Sequence, residues 1–183
     1  MCRHLGYLGG TAVPLGELVL APPHSLLVQS YAPRELLRGC VCADGAGVGW
    51  YAEGDPEPAS YRREGPIWAD PDLPGLGRVV RSRCAVAAVR NATPGISGGL
   101  ASVQPFRHGA HLFSHNGAVA GFAERARGLR DLLPDDLHAA LVGASDSETL
   151  FLLALARVRE AAGDLAAGLR AALAEVAERA PGS

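Results

Sequence analysis

Cys2 directly follows the initiator methionine, so removal of Met1 would place a thiol and a free α-amine on one residue. An α-amine titrates near ~7.7–8.0, close to working pH, and can act as general base for a thiol that is otherwise mostly protonated. Position alone does not assign that role, because a small residue after the start is commonplace. Three other clusters carry chemistry. In Val89-Arg90-Asn91-Ala92-Thr93-Pro94-Gly95 a strand empties into a polar turn. Arg90 there can hold a carboxylate in a two-pronged fork and Thr93 can add a hydroxyl donor, although an Arg ending a strand at the surface is the plainer reading. In His115-Asn116-Gly117 the Asn-Gly step is ordinarily a hairpin turn. Its functional reading is that the Asn116 amide and the Gly117 N–H converge on a developing oxyanion, where each donor is worth ~2.7–4 kcal/mol. In Ser145-Asp146-Ser147, Asp146 can meet a substrate ammonium, or the segment can simply cap a helix, worth ~1 kcal/mol.

The elements that must position these residues change character along the chain. Cys2 to Leu8 suits a short strand closed by Gly9 and Gly10, and residues 25–31 form an apolar, buried segment stopped by Pro33. Strands are expected over Asp44–Tyr51, Ala59–Arg63, the nearly continuous apolar run Cys84–Val89, and residues 110–114. Helices follow: residues 122–141 interrupted at Pro134, a segment opened by the Ser145-x-x-Glu148 capping box, and a last one with Leu165, Leu169, Leu173 and Val176 on one face. Strands first and helices later define an α+β class and not alternating βαβ units.

Composition bounds the rest. The chain of 183 residues, 48% hydrophobic and of net charge -2, suits one globular domain. All 17 basic residues are Arg, scattered among 19 acidic ones, so no basic stripe marks a nucleic-acid groove. No apolar run is long enough to span a bilayer, and Pro14 and Glu17 interrupt the stretch after Arg3 that could pass for a signal peptide; a cytoplasmic location is expected. Cys2, Cys40, Cys42 and Cys84 read as reduced thiols. Cys40-Val41-Cys42 is not a Cys-x-x-Cys pair, and no metal is assigned. Asp44-Gly45-Ala46-Gly47-Val48-Gly49 lacks the third glycine of a dinucleotide loop, which would fall at Trp50.

Taken in order, Met1-Cys2-Arg3-His4, Leu27-Val28-Gln29-Ser30-Tyr31-Ala32-Pro33, Ala43-Asp44-Gly45 with Gly47 and Gly49, Arg81-Ser82-Arg83-Cys84, Val89-Arg90-Asn91-Ala92-Thr93 and Ser114-His115-Asn116-Gly117 resemble the class II glutamine amidotransferase domain. The resemblance covers most of residues 1–155, and the Gln-Ser-Tyr-Ala-Pro and Met-Cys-Arg-His stretches point to the branch that hydrolyses γ-glutamyl hercynylcysteine sulfoxide in ergothioneine biosynthesis. It implies a four-layer αββα sandwich of the N-terminal-nucleophile hydrolase type, as one domain over residues 1–183 in which C-terminal strands are missing. It further implies Cys2 as nucleophile with its own amine as base and Asn116 and Gly117 as the oxyanion hole. Arg90 and Thr93 would then hold the glutamyl α-carboxylate and Asp146 the α-ammonium. The ligand is a small γ-glutamyl amide, no cofactor is needed, no nucleic-acid or membrane partner is expected, and a homodimer is left open. Tyr31, Trp50 and Trp68 are the aromatic candidates for facing the trimethylammonium of the leaving group. Ala46, standing where the family loop usually carries Trp, implies a wider pocket wall. Two other readings stand beside this one: a glutaminase domain passing ammonia to a synthase, and an inactive relative that retains the γ-glutamyl pocket.

Overall fold

A computed structural model describes residues 2–34, 41–92 and 99–182. They form two units, residues 1–116 and 117–183, each with its own packing.

The first unit is built on a four-stranded antiparallel sheet of order β1-β4-β2-β3, with β1 at Arg3–Pro14, β2 at Gly45–Trp50, β3 at Ala59–Arg63 and β4 at Arg81–Arg90. Three short helices, α1 (Leu15–Val19), α2 (Leu26–Tyr31) and α3 (Leu73–Val79), cover one face. Period-two alternation turns Leu5, Ala46, Val48, Ala85, Ala87 and Val89 toward those helices, where they meet Leu15, Val19, Leu26 and Leu73 in one apolar cluster. Ala46 therefore belongs to the core, beside a void of only 10 Å³, and its small side chain bears on core packing, not on a pocket wall.

The opposite face of β2 carries Gly45, Gly47 and Gly49, and the hairpin of β5 (Phe106–His108) and β6 (His111–Phe113) and its lead-in lie close against it. A Cβ on Gly47 would sit 2.4 Å from the Gln104 carbonyl oxygen, and one on Gly49 would sit 2.8 Å from Leu112. The glycine run that lacks the third glycine of a dinucleotide loop is thus a strand stripped of side chains so that a second layer can approach.

Strand β1 does not close at Gly9-Gly10. Pairing with β4 shifts register between Leu8 and Val13 and then resumes to Pro14. The Tyr7 ring folds over Gly9, where any Cβ would clash, and its hydroxyl donates to the Thr11 carbonyl at 2.9 Å. The two glycines make an irregularity inside a strand instead of ending it. Residues 25–31, expected only as a buried segment, are helical in α2, whose N-cap Ser25 accepts from the Val28 N–H.

The second unit is helical: α4 (Phe122–Arg130), α5 (Asp135–Ala139), α6 (Asp146–Glu160) and α7 (Leu165–Arg179). The break at Pro134 and the start after Ser145 fall as expected, with the Ser145 hydroxyl accepting from the Glu148 N–H at 3.1 Å. Glu148 does not reach back to complete a capping box. Its carboxylate accepts from the Val142 and Gly143 N–H groups at 2.9 and 2.8 Å, tying down the loop before the helix. Of the four residues expected on one face of α7, only Val176 is buried. Leu165, Leu169 and Leu173 are exposed, while Gly168, Ala172 and Val176 are buried, because small residues let α7 approach α6 so closely that a Cβ on Gly168 would meet Val158 at 2.5 Å. Among the described residues no helix is long and apolar enough to cross a membrane.

Gly47→Ala forces a methyl against a backbone oxygen that no rotamer change can move aside, at a cost of about 1–3 kcal/mol. Its Tm should fall by roughly 2–4 °C per kcal/mol in thermal denaturation. Gly75→Ala, on a site with nothing within 4 Å, should leave Tm unchanged or raise it slightly.

Candidate active site

The site is assembled by the β1–β4 ladder. Arg3 pairs with Val89 at the end of the register, so Cys2 arrives beside the turn leaving β4, with its Sγ 3.9 Å from the Asn91 carbonyl oxygen. Cys2 is half-buried, and Cys2, Cys42 and Cys84 are free thiols. Burial, and then the neighbouring Cys2, push the Cys42 thiol upward, which keeps it protonated beside the candidate nucleophile.

Arg90 ends β4 and is 9% exposed. Among the described residues no carboxylate pairs with its guanidinium. A buried cation left in that state favours an incoming carboxylate. Its backbone is held firmly: the Arg90 carbonyl accepts from the Asp44 N–H at 3.0 Å, and the Asp44 carboxylate accepts from the Ala92 N–H at 2.7 Å. Asp44 had no role in the sequence reading beyond its place before Gly45. Here it clamps the turn on both sides of Asn91. Thr93 lies outside the described residues.

A second network holds the segment before Asn116. The Gln104 side chain, itself buried, accepts from the Ser114 hydroxyl at 2.9 Å and the His115 N–H at 2.6 Å, and donates to the His115 carbonyl at 3.0 Å. Ser114 Oγ also lies 2.8 Å from His4 Nδ1, two residues along β1 from Cys2. Burial, helped by the nearby His115, lowers the His4 pKa and favours the neutral ring in that contact. Nothing in the sequence singled out Gln104, since an isolated Gln before a Pro carries no pattern. Asn116 itself is exposed and follows β6 without leading into a partner strand, so its Asn-Gly step is not a hairpin turn; the turn between β5 and β6 lies at Gly109 and Ala110.

Gly117 and Asp146 belong to the helical unit. Asp146 is 9% exposed and opens α6, but the N-cap is Ser145. One Asp146 oxygen accepts from the Val119 N–H at 2.9 Å and the other from the Ser147 N–H at 2.7 Å. The carboxylate therefore anchors the chain two residues after Gly117. The first unit thus brings together Cys2, Arg90 and the tethered segment of Asn116, and the second joins Asp146 to the segment after Gly117. Among the described residues no group of three or more His, Cys, Asp or Glu side chains could hold a metal ion.

An antiparallel sheet offering a Cys at one strand end and a buried Arg at its neighbour, with glycines opening the face between layers, is the architecture of an amidotransferase domain. The model of the family "Glutamine amidotransferases class-II" matches residues 24–181, and the chain belongs to that family. It is 38% identical over 181 residues to the gamma-glutamyl-hercynylcysteine sulfoxide hydrolase of Mycolicibacterium smegmatis, covering 99% of this chain and 71% of that one. It is 44% identical over 119 residues to the hydrolase of the same name from Mycobacterium tuberculosis, covering 65% of this chain. The chain spans 50% of the length of that relative. A solved class-II glutamine aminotransferase domain protein from Silicibacter pomeroyi shares the fold, with TM-score 0.68 and 27% identity over 96% of this chain and 62% of that one.

Gln104→Leu leaves the His115 N–H and carbonyl without their partner, at about 1–3 kcal/mol. Hydrogen exchange should show the His115 amide losing protection by roughly 5- to 150-fold, while amides in the middle of β4 keep theirs.

Proposed function

We propose that the chain is a γ-glutamyl amidohydrolase that cleaves γ-glutamyl hercynylcysteine sulfoxide to glutamate and hercynylcysteine sulfoxide. The observation that carries this reading is Arg90, 9% exposed and without a carboxylate partner among the described residues, at the strand end beside Cys2. A glutamyl group supplies that carboxylate and presents its γ-carbonyl a few bonds away. With Met1 removed, the Cys2 α-amine takes the thiol proton as sulfur attacks the γ-carbonyl carbon. The Asn116 amide and the Gly117 N–H stabilise the oxyanion. The α-ammonium returns the proton to the leaving nitrogen as the C–N bond breaks, and a γ-glutamyl thioester remains. Water, deprotonated by the same amine, then releases glutamate and restores the thiol. Arg90 and Thr93 hold the substrate α-carboxylate and Asp146 its α-ammonium. Asp146 does so with oxygens already accepting backbone hydrogen bonds, which fix its direction. The hercynylcysteine sulfoxide leaving group is favoured by the two similar hydrolases, and a cytoplasmic location goes with that reading.

The test is a panel of γ-glutamyl amides that includes glutamine and the hercynylcysteine sulfoxide conjugate, combined with intact mass to establish Met1 removal. The conjugate should be the best substrate, and Cys2→Ala should bind it yet turn nothing over. Turnover by Cys2→Ala overturns the mechanism, and a strong preference for glutamine favours an ammonia-supplying glutaminase instead.

Arg90→Lys keeps the charge but loses the planar fork. Its kcat/KM should fall by roughly 10- to 100-fold on every γ-glutamyl substrate in the panel, in line with a charge-assisted contact of about 1.5–3 kcal/mol. An unchanged kcat/KM would assign the carboxylate to another residue.

A further inference from the structure

Gln104 stands as a strut between the first sheet and the chain that leads to Asn116. Its backbone is seated on that sheet at two points. A Cβ on Gly47 of β2 would come within 2.4 Å of the Gln104 carbonyl oxygen, and the Arg62 guanidinium of β3 donates to the preceding Val103 carbonyl at 3.0 Å. From this base the side chain, 9% exposed, makes three hydrogen bonds to two consecutive residues, Ser114 and His115, the second of which immediately precedes Asn116. The steps of hydrolysis set out above give Gln104 no part.

The direction of every bond in this network follows from what each atom can do. Gln104 Nε2 donates to the His115 carbonyl, so Oε1 is the atom that serves the His115 N–H and the Ser114 hydroxyl. An amide oxygen only accepts, which commits the Ser114 proton to it and leaves Ser114 Oγ to accept from His4 Nδ1–H at 2.8 Å. Nδ1 carries a proton in this neutral tautomer and in the imidazolium alike, so the link survives titration of His4. The bonds therefore run from the strand that begins beside Cys2, through Ser114 and Gln104, to the peptide before Asn116. Asn116 itself is exposed and lies outside any strand or helix, so no backbone ladder aims its side chain. An oxyanion donor is effective only when it already points to where charge develops, which makes its support as consequential as the donor.

We propose that Gln104 is the positioning residue of the oxyanion hole: through its bonds to Ser114 and His115 it sets where the Asn116 amide points relative to Cys2, without itself entering the chemistry. The inference rests on the oxyanion role given to Asn116 in the hydrolase reading, and adds the residue through which that role is exerted.

The test is a double-mutant cycle on the full-length chain, with kcat and KM measured on the best γ-glutamyl amide of the panel and glutamate binding followed by calorimetry. Gln104→Leu should lower kcat and kcat/KM together by about 10- to 100-fold, as expected for a catalytic group displaced by about an ångström, and leave the Kd for glutamate unchanged. Ser114→Ala is the milder change, since both Gln104 bonds to the His115 backbone remain, and should lower kcat by about 2- to 10-fold. In an Asn116→Ala background, where no amide is left to aim, neither substitution should reduce kcat further. Equal fold losses with and without Asn116 would show that Gln104 merely supports the fold and overturn the proposal, as would an unchanged kcat in both single variants. Should Gln104→Leu fail to fold, the Ser114→Ala cycle decides by the same outcomes. Full activity of Asn116→Ala overturns the proposal together with the oxyanion assignment, and a wild-type chain that turns over no γ-glutamyl amide overturns it together with the hydrolase reading.

Discussion

The pairing of β1 with β4 is the constraint on which the candidate site depends. It joins residues 67 to 86 positions apart, so its loop-closure cost is met only when the helices cover the sheet and bury its apolar face. Once formed, the ladder brings the edge-strand residue Cys2 to the place where β4 gives way to a polar turn, and Arg90 with it. Nucleophile and anion-binding cation are thus held by backbone hydrogen bonds, whose geometry is far stiffer than that of a loop. Asp44 extends the same logic past the strand end by accepting from Ala92.

The two faces of the sheet are used differently. One is filled with Ala, Val and Leu against short helices, and the other is thinned to glycine along β2 so that the β5–β6 layer can lie directly on the backbone. That close approach puts Gln104 where its amide can satisfy both backbone groups of His115, and it puts Ser114 within reach of His4. A segment that would otherwise be a free loop leading to Asn116 is thereby tied to the strand that begins beside Cys2. The helical unit treats its own segment similarly, with Asp146 fixing Val119 and Glu148 fixing Val142 and Gly143. In both units buried polar side chains are spent on immobilising the chain next to groups that must point in a definite direction.

Much of this was legible beforehand because it is local. The glycine-rich run 44–51, the segment Ala59–Arg63 and the apolar run Cys84–Val89 located β2, β3 and most of β4, and Pro134 and Ser145 marked helix boundaries through their own backbone chemistry. Cys2, Arg90, Asn116, Gly117 and Asp146 stood out by residue type and order. What failed were inferences in which a local signal competes with packing. Gly9-Gly10 signalled a strand end, yet Tyr7 covers Gly9 and pairing resumes beyond. The Leu165–Leu169–Leu173 stripe signalled a buried face, yet close approach to α6 rewards Gly168 and Ala172 instead.

The amino-acid sequence by itself therefore determined the α+β class, the membership of the chain in an amidotransferase family and the identity of its chemical groups. Each of these is written in short-range pattern and residue type. Only the tertiary structure decided which face Ala46 serves, that Asp44 and Gln104 act as clamps, and that Tyr31 and Trp68 meet while Trp50 turns to the core. Those outcomes hang on contacts between residues far apart in the chain, and a side chain's neighbours across a sheet or between layers leave no periodic trace along its own strand.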